Sequence, residues 1–232
     1  GGYKTNLYTS PHLLSYTERY IFDDKEINEE DLIELLTDVE KTLGDDNATL
    51  FEILTCAFLK YAENFKDNIN IIEAGLFHQF DSTNVFKENL MTLIGVIHND
   101  HFQWLENKSI DGVIHEKTAK LLNSNIFVNK QVNNEIRDKI ESSLEKNTSK
   151  KYFFGKDFNI GKSENGFIQY QDQLGELVLP EPSILGDHQL YNISTSIAAS
   201  RKIFNIKDEY IRNGIKNISV SYTHLTLPTN RE

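Results

Sequence analysis

The sequence predicts an α/β protein in which a mainly parallel sheet is flanked by helices, with a small β-rich region near residues 151–180. Three observations carry this. Short apolar runs at 69–72, 90–97 and 126–128 alternate with helical patterns of ten to fifteen residues, which is how βαβ units read. From Lys151 onward the pattern shifts to brief strand-like segments at 152–154, 167–170 and 177–179, punctuated by glycine. The composition, 39% hydrophobic and 25% charged over 232 residues, supplies enough apolar surface for a real core.

Tyr3 to Thr9 alternates weakly and stops at Ser10-Pro11, a loop signal. Residues 16–27 read as a short hairpin around Asp23-Asp24. Asn28 caps a helix whose apolar face is Leu32, Leu35, Leu36 and Val39, and Gly44-Asp45-Asp46 closes it. A second helix is expected over 49–65, with Phe51, Leu54, Phe58, Leu59 and Ala62 at helical spacing. The run 69–72 is a short buried strand ending at Glu73-Ala74-Gly75; the run 90–97 is another, ending at His98-Asn99-Asp100-His101. A helix over 110–122, a strand over 126–128 and a helix over 133–146 follow. After Pro180-Glu181-Pro182, two helices are expected at about 188–204 and 207–218. No internal repeat is visible.

Charge and cysteine usage narrow the function classes. The net charge is -11, from 24 Lys and Arg against 35 Asp and Glu, with no basic cluster. Such a chain is a poor ligand for nucleic acid or an anionic membrane, whose phosphates need Lys/Arg stripes. No apolar run of 18 residues is present to span a bilayer. The single cysteine, Cys56, sits in an apolar helical pattern and favours a reducing compartment. No basic segment followed by an apolar stretch marks export, so a cytoplasmic location is expected. The opening Gly1-Gly2-Tyr3, without methionine, reads as the start of a piece of a longer chain. Residues 219–232 have no periodic relation to the helix before them. They are similar to a translated sequencing-adapter tail, the alternative being a native strand without its partner, and are set aside from fold reasoning.

Ligands in open α/β sheets gather at the carboxyl ends of strands. Two strand ends here carry metal-capable groups: Glu73, and the cluster His98, Asp100 and His101. A carboxylate and an imidazole on neighbouring strand ends could share one divalent ion, with nucleotide phosphates completing its shell. His98 and His101 alone, without a cysteine pair, are a weak zinc signal. Asp81-Ser82-Thr83-Asn84 reads as a polar turn, and Glu116-Lys117 as a solvated helix face. Gly161-Lys162-Ser163 imitates a phosphate loop. However, five residues separate Gly155 from Gly161 where four are required, and no apolar helix follows.

Taken in order, these segments resemble one family, the folylpolyglutamate synthase/dihydrofolate synthase branch of the Mur ligases. Tyr8-Thr9-Ser10-Pro11-His12-Leu13 is similar to its YTSPHL loop, and Glu18-Arg19 to the ER that follows. Thr49-Leu50-Phe51-Glu52 resembles its T-x-F-E helix start, and the stretch from Ile72-Glu73-Ala74-Gly75 to Asp81-Ser82-Thr83-Asn84 resembles its long glycine-rich segment. Asp100-His101, Glu116-Lys117, Gly155-Lys156-Asp157-Phe158 and the run from Leu179-Pro180 to Asn192 match further motifs, so that the resemblance covers nearly all of 3–218.

The resemblance implies an ATP-dependent amide ligase of folate biosynthesis and one-carbon metabolism. Such an enzyme adds glutamate to dihydropteroate or folate through an acyl phosphate, with ATP and Mg2+ as cofactors. It implies Glu73 and His101 as magnesium ligands and Lys117 as a carbamylated catalytic lysine. Asn192 would meet the adenine; Ser10, Pro11, His12 and Asp81 would meet the pterin. It also implies that 1–218 correspond to the family's central domain, in a protein monomeric at full length. The family's GTNGKGS phosphate loop would lie before Tyr8 and its WPGR segment and C-terminal domain after Ile218, so the chain alone is expected to be inactive. Phe77-His78-Gln79 stands where the family has Gly-Gly-Arg, and His98-Asn99 where it has Gly-Leu. Two other readings are a Mur-type cell-wall amino-acid ligase and a catalytically dead nucleotide-binding or scaffold domain.

Overall fold

The computed structural model describes residues 2–99, 102–163, 165–184 and 186–218. The chain falls into two compact units, residues 2–86 and the residues from Lys87 onward.

In the first unit, strand β1 (Thr5–Tyr8) is followed by the hairpin β2 (Tyr20–Phe22) and β3 (Lys25–Glu26). Asp23 and Asp24 turn the hairpin with positive φ of 55° and 64°, a conformation that aspartate tolerates better than bulkier residues. Helix α1 (Glu29–Leu43) starts at Asn28, whose side chain accepts from Asp31 N. It stops at Gly44, where φ 61° and ψ -125° suit only glycine. Helix α2 (Leu50–Ala62) opens on a capping box between Thr49 and Glu52. It ends before the expected boundary, and Glu63–Phe65 tightens into a 3-10 turn. Strand β4 (Ile69–Ile72) then pairs parallel with β1, giving the order β3-β2-β1-β4.

The core of this unit is aromatic. Tyr8, Tyr20 and Phe58 are fully buried, and Tyr8 stacks on Phe58 with centroids 5.0 Å apart. Such pairs add to what area burial alone contributes. Tyr20 satisfies its buried hydroxyl by donating to Leu54 O at 2.8 Å, and desolvation pushes its pKa well up. Asn6, also fully buried on β1, donates to Asn70 Oδ1 across the parallel pair and accepts from Asn68 Nδ2, each at 2.8 Å.

The second unit holds β5 (Met91–Ile94), α3 (Ile110–Thr118), β6 (Asn125–Val128), α4 (Asn134–Ser143) and β7 (Lys150–Phe153). The three strands form a parallel sheet in the order β5-β6-β7. An antiparallel meander, β8 (Phe158–Lys162), β9 (Ile168–Asp172) and β10 (Gly175–Leu179), follows, then helices α5 (Asp187–Phe204) and α6 (Asp208–Lys216). Phe127 of β6, Tyr170 of β9, Leu177 of β10 and Ile193 and Ile197 of α5 share one buried cluster.

Several boundaries differ from the sequence expectations. Helix α3 stops at Thr118 because Ala119 is extended and Lys120 takes a positive φ of 58°. The segment at 152–154 does not start the β-rich region: β7 completes the parallel sheet, and only β8 to β10 are antiparallel. Strand β8 was hidden by its glycine. Gly161 and Lys162 lie within it, so the Gly-Lys-Ser run is a strand end and not a loop before a helix. Strands β4 and β5, expected as neighbours, belong to different sheets, and each ends its sheet with a half-exposed apolar residue, Ile71 and Leu93. Residues 219–232 lie outside the described residues, and so does the expectation about their tail.

Candidate functional site

Because β1 and β4 are parallel, their carboxyl ends emerge side by side. Tyr8 pairs with Ile72, and Glu73 N donates to Tyr8 O at 2.9 Å as the last rung. The chain leaves β1 through Thr9-Ser10-Pro11-His12, with a cis Ser10–Pro11 peptide. Glu73 bridges the two exits: its Oε2 accepts from Ser10 N at 2.8 Å.

The Ser10–His12 loop is held from below by the two residues that follow it in the motif. Glu18 accepts from Leu13 N, Leu14 N and Ser15 N, each at 2.8 Å. Arg19 Nε donates to His12 Nδ1 at 2.8 Å, and the His12 ring lies 4.1 Å from that of Tyr16. An imidazole that accepts at Nδ1 is neutral there and presents its proton at Nε2.

The three backbone amides hold the Glu18 carboxyl below its usual range, those of Leu13, Ser15 and Leu14 in order of effect. A carboxylate whose folded pKa is depressed contributes stability above its unfolded value, about 4.3, and loses it as pH falls through the lower folded value. The loop clasp is therefore expected to persist at pH 5 and to open only in stronger acid. A carbon-detected NMR titration of Glu18 should give a midpoint below about 4.3; a midpoint at or above it defeats the clasp.

Asp81 organises the loop after β4. Its Oδ2 accepts from Gly75 N at 2.9 Å and Leu76 N at 3.1 Å, and its Oδ1 from Thr83 N at 3.0 Å and Thr83 Oγ1 at 2.5 Å. Thr55 of α2 lies 2.9 Å from Ser82 Oγ and 3.3 Å from the Tyr8 hydroxyl, which ties this turn to the core.

Gly75 is required by close approach. A Cβ there would lie 2.4 Å from Phe51 Cε1, 2.7 Å from Cζ and 3.0 Å from Asp81 Oδ2. Phe51 has little freedom to yield, being stacked on Tyr8 at 6.0 Å. Gly75→Ala should therefore cost about 1–3 kcal/mol of stability, measured by urea denaturation. The pair Gly75→Ala/Phe51→Ala should show a favourable coupling that relieves the overpacking. An unchanged midpoint for the single variant would remove Phe51 as the reason for the glycine.

The other residues singled out from the sequence lie in the second unit. Lys117 is half-buried in the last turn of α3, beside Glu116. Asn192 is exposed on the second turn of α5, where its Oδ1 accepts from Asn129 Nδ2 at 2.7 Å. His98 is exposed after the buried Ile97, while Asp100 and His101 lie outside the described residues.

Several motif residues prove to be local fasteners. Glu52 and Thr49 close a helix cap: Glu52 Oε2 accepts from Thr49 N at 2.7 Å. Asp157 caps the β7–β8 turn by accepting from Phe153 N at 2.8 Å, and Gly155 has φ 80° there. Sequence reasoning missed Asn129 and Gln131, buried polar residues directly after β6. The signal was two amide side chains following a wholly buried apolar strand.

Magnesium keeps several waters and substrate oxygens in its shell, so it needs only one or two protein carboxylates. Glu73 fits that demand. It is exposed, and its Oε1 makes no hydrogen bond among the described residues. No group of three or more His, Cys, Asp or Glu capable of holding a metal occurs among the described residues.

Parallel strands with a carboxylate and a held loop at their carboxyl ends make this an open-sheet α/β protein, with these groups at the position where such sheets bind ligands. No family model matches the chain. It is 28% identical over 233 residues to a dihydrofolate synthase/folylpolyglutamate synthase of Bacillus subtilis, covering 92% of the chain and 53% of the relative. Among solved structures it is similar to Escherichia coli FolC complexed with DHPP and ADP, with TM-score 0.83 and 25% identity over 94% of this chain and 51% of that one. It is also similar to a bifunctional folylpolyglutamate synthase/dihydrofolate synthase of Yersinia pestis complexed with AMPPNP and Mn, with TM-score 0.82 and 26% identity over 94% and 52%. Along nearly its whole length, the chain is similar to the dihydrofolate synthase/folylpolyglutamate synthases, the family its motifs resemble. It spans about half the length of the relatives it matches. No helix among the described residues is long and apolar enough to cross a membrane.

Proposed function

We propose that the intact protein is an ATP-dependent ligase that joins glutamate to dihydropteroate or folate. A carboxylate oxygen of the pterin substrate attacks the γ-phosphorus of ATP, and ADP leaves. The glutamate amine then attacks the acyl carbon, loses a proton and expels phosphate. Residues 1–218 would be its central domain, working as a monomer in the cytoplasm.

Glu73 would hold magnesium through its open oxygen, with His101 as the second protein ligand. Bound there, magnesium supplies positive charge to offset the phosphates. Lys117, as a carbamate, would contribute a further anion near the phosphates. The Ser10–Pro11–His12 loop would orient the pterin, with Asp81 shaping the turn beside it. Asn192 would meet the adenine.

One observation carries the reading. Glu73 is fixed by the backbone amide of the same loop that the resemblance assigns to substrate, so metal ligand and substrate loop are coupled through one carboxylate. The relatives complexed with ADP and with AMPPNP support the nucleotide.

The test is ADP release by the intact protein with ATP, Mg2+ and glutamate, with and without dihydropteroate or folate. Release that needs both glutamate and a pterin supports the proposal. Release independent of the pterin, or none at all, overturns it.

A further inference from the structure

The turn after β6 contains two buried amide side chains whose hydrogen bonds run in one direction. Strands β5 and β6 part after Asn129 N donates to Ile94 O at 2.9 Å. Backbone groups beyond that rung still need partners. Gln131, 8% exposed, supplies them: its Oε1 accepts from Ile97 N at 3.0 Å, and its Nε2 donates to Gly95 O at 3.1 Å and Asn129 O at 2.8 Å. Asn129 is thereby held at both its backbone N–H and its C=O, and it is 3% exposed.

This matters for the side chain of Asn129. Its Oδ1 accepts from Lys130 N at 2.7 Å. A backbone N–H can only donate, so this bond fixes which end of the amide is oxygen. The Nδ2 end must then face Asn192, and it donates to Asn192 Oδ1 at 2.7 Å. Asn192 is oriented in turn, with its Nδ2 donating to Gln189 Oε1 at 3.1 Å. A single main-chain amide thus sets the polarity of three side chains in succession.

Each amide oxygen has two acceptor sites and each NH2 two hydrogens. After these bonds Asn192, which is exposed, retains one acceptor site on Oδ1 and one N–H on Nδ2 among the described residues. An edge that presents a donor beside an acceptor, in the matching order, fits that pair. A 6-aminopurine presents such an edge, and a 6-oxopurine presents the reverse order at the same two positions. A freely rotating asparagine would accept either by flipping its amide.

We propose that Asn129 is a positioning residue that locks the Asn192 amide in one orientation and so selects 6-amino over 6-oxopurine nucleotides. The proposal rests on Asn192 being the nucleotide-base contact. It does not depend on which carboxylate the enzyme ligates.

Dissociation constants for ATP and ITP, measured by calorimetry on the intact protein without pterin or glutamate, test it. ITP differs from ATP only at the C6–N1 edge. Asn129→Asp keeps the acceptor for Lys130 N but offers only an acceptor to Asn192, whose amide must turn over. The ATP-to-ITP preference should then move toward ITP by roughly tenfold or more, the usual worth of a bidentate base contact. Added negative charge weakens both nucleotides alike and cancels in the ratio. Asn129→Leu should weaken ATP without favouring ITP. A ratio within about twofold of wild type in Asn129→Asp, with Asn192→Ala still weakening ATP, overturns the positioning role alone. ATP binding unchanged in Asn192→Ala overturns the base contact and the selectivity together.

Discussion

Arg201→Ala is expected to destabilise the second unit by about 3–5 kcal/mol, because it leaves a buried carboxylate without its counter-charge. The side chains of Arg201 and Asp172 are 9% and 10% exposed, and Arg201 Nη1 lies 2.9 Å from Asp172 Oδ1. The same guanidinium donates to Gly175 O at 3.1 Å, across the turn joining β9 to β10. Asp172 also accepts from Leu174 N at 2.8 Å and from the buried Tyr170 hydroxyl at 2.9 Å. Burial and the neighbouring carboxylate push the pKa of Tyr170 well up, so it donates throughout the accessible pH range. The pair thus fastens α5 to the meander, and removing one partner strands several polar groups at once. Urea denaturation monitored by circular dichroism measures the loss. Arg201→Met combined with Asp172→Asn should recover much of it, since replacing a whole buried pair costs less than breaking it. A loss below about 1 kcal/mol for Arg201→Ala would place the pair with ordinary surface bridges.

Glu73→Ala is expected to lower ligation by the intact protein about a thousandfold, with the fold unaffected. Losing a charge that holds a catalytic cation removes several kcal/mol of transition-state stabilisation, and each 1.36 kcal/mol is about tenfold in rate. The side chain is exposed, so no core is disturbed. Its two oxygens allow the roles to be separated. Oε2 takes the Ser10 amide, while Oε1 is open to a cation. Glu73→Gln keeps an acceptor for Ser10 N but loses the charge. It should lower kcat about a hundredfold or more with little change in KM for the pterin, whereas Glu73→Ala should raise that KM as well. Activity of Glu73→Gln within about threefold of wild type would end the metal-ligand role.

The helices and strands were legible because their periodicity is local. Asn28 announced its cap through Asp31 three positions on, whereas the capping box of Thr49 and Glu52 appeared only in the structure. Helix ends were less legible: α3 stops where Lys120 enters the left-handed region, a conformation no lysine advertises. Strand β8 was invisible because Gly161 imitated a turn, although Phe158 and Ile160 alternate into the core as a strand requires. Pairing was the least legible feature. β7 reads like the start of a β-rich region but lies parallel to β6, since a short strand carries no mark of which neighbour it will take.

The candidate site divides in the same way. Motif residues were recognisable in order along the chain, yet their work was not. Glu18, Asp81 and Asp157 each bond backbone amides of neighbouring turns. Asn129 and Gln131 were passed over because their partners are 63 and 34 residues distant, at Asn192 and Ile97.

By itself the sequence determined the α/β class, the order of the helices and of most strands, and the carboxylate that follows β4, because hydrophobic period and residue chemistry are written locally. Only the tertiary structure decided that Glu73 is tied to the Ser10 loop, that β4 and β5 close different sheets, and that one main-chain N–H orients Asn192. Those outcomes depend on which backbone donors and acceptors are left over when strands end. That remainder exists only once distant segments have packed and the ladders have run out.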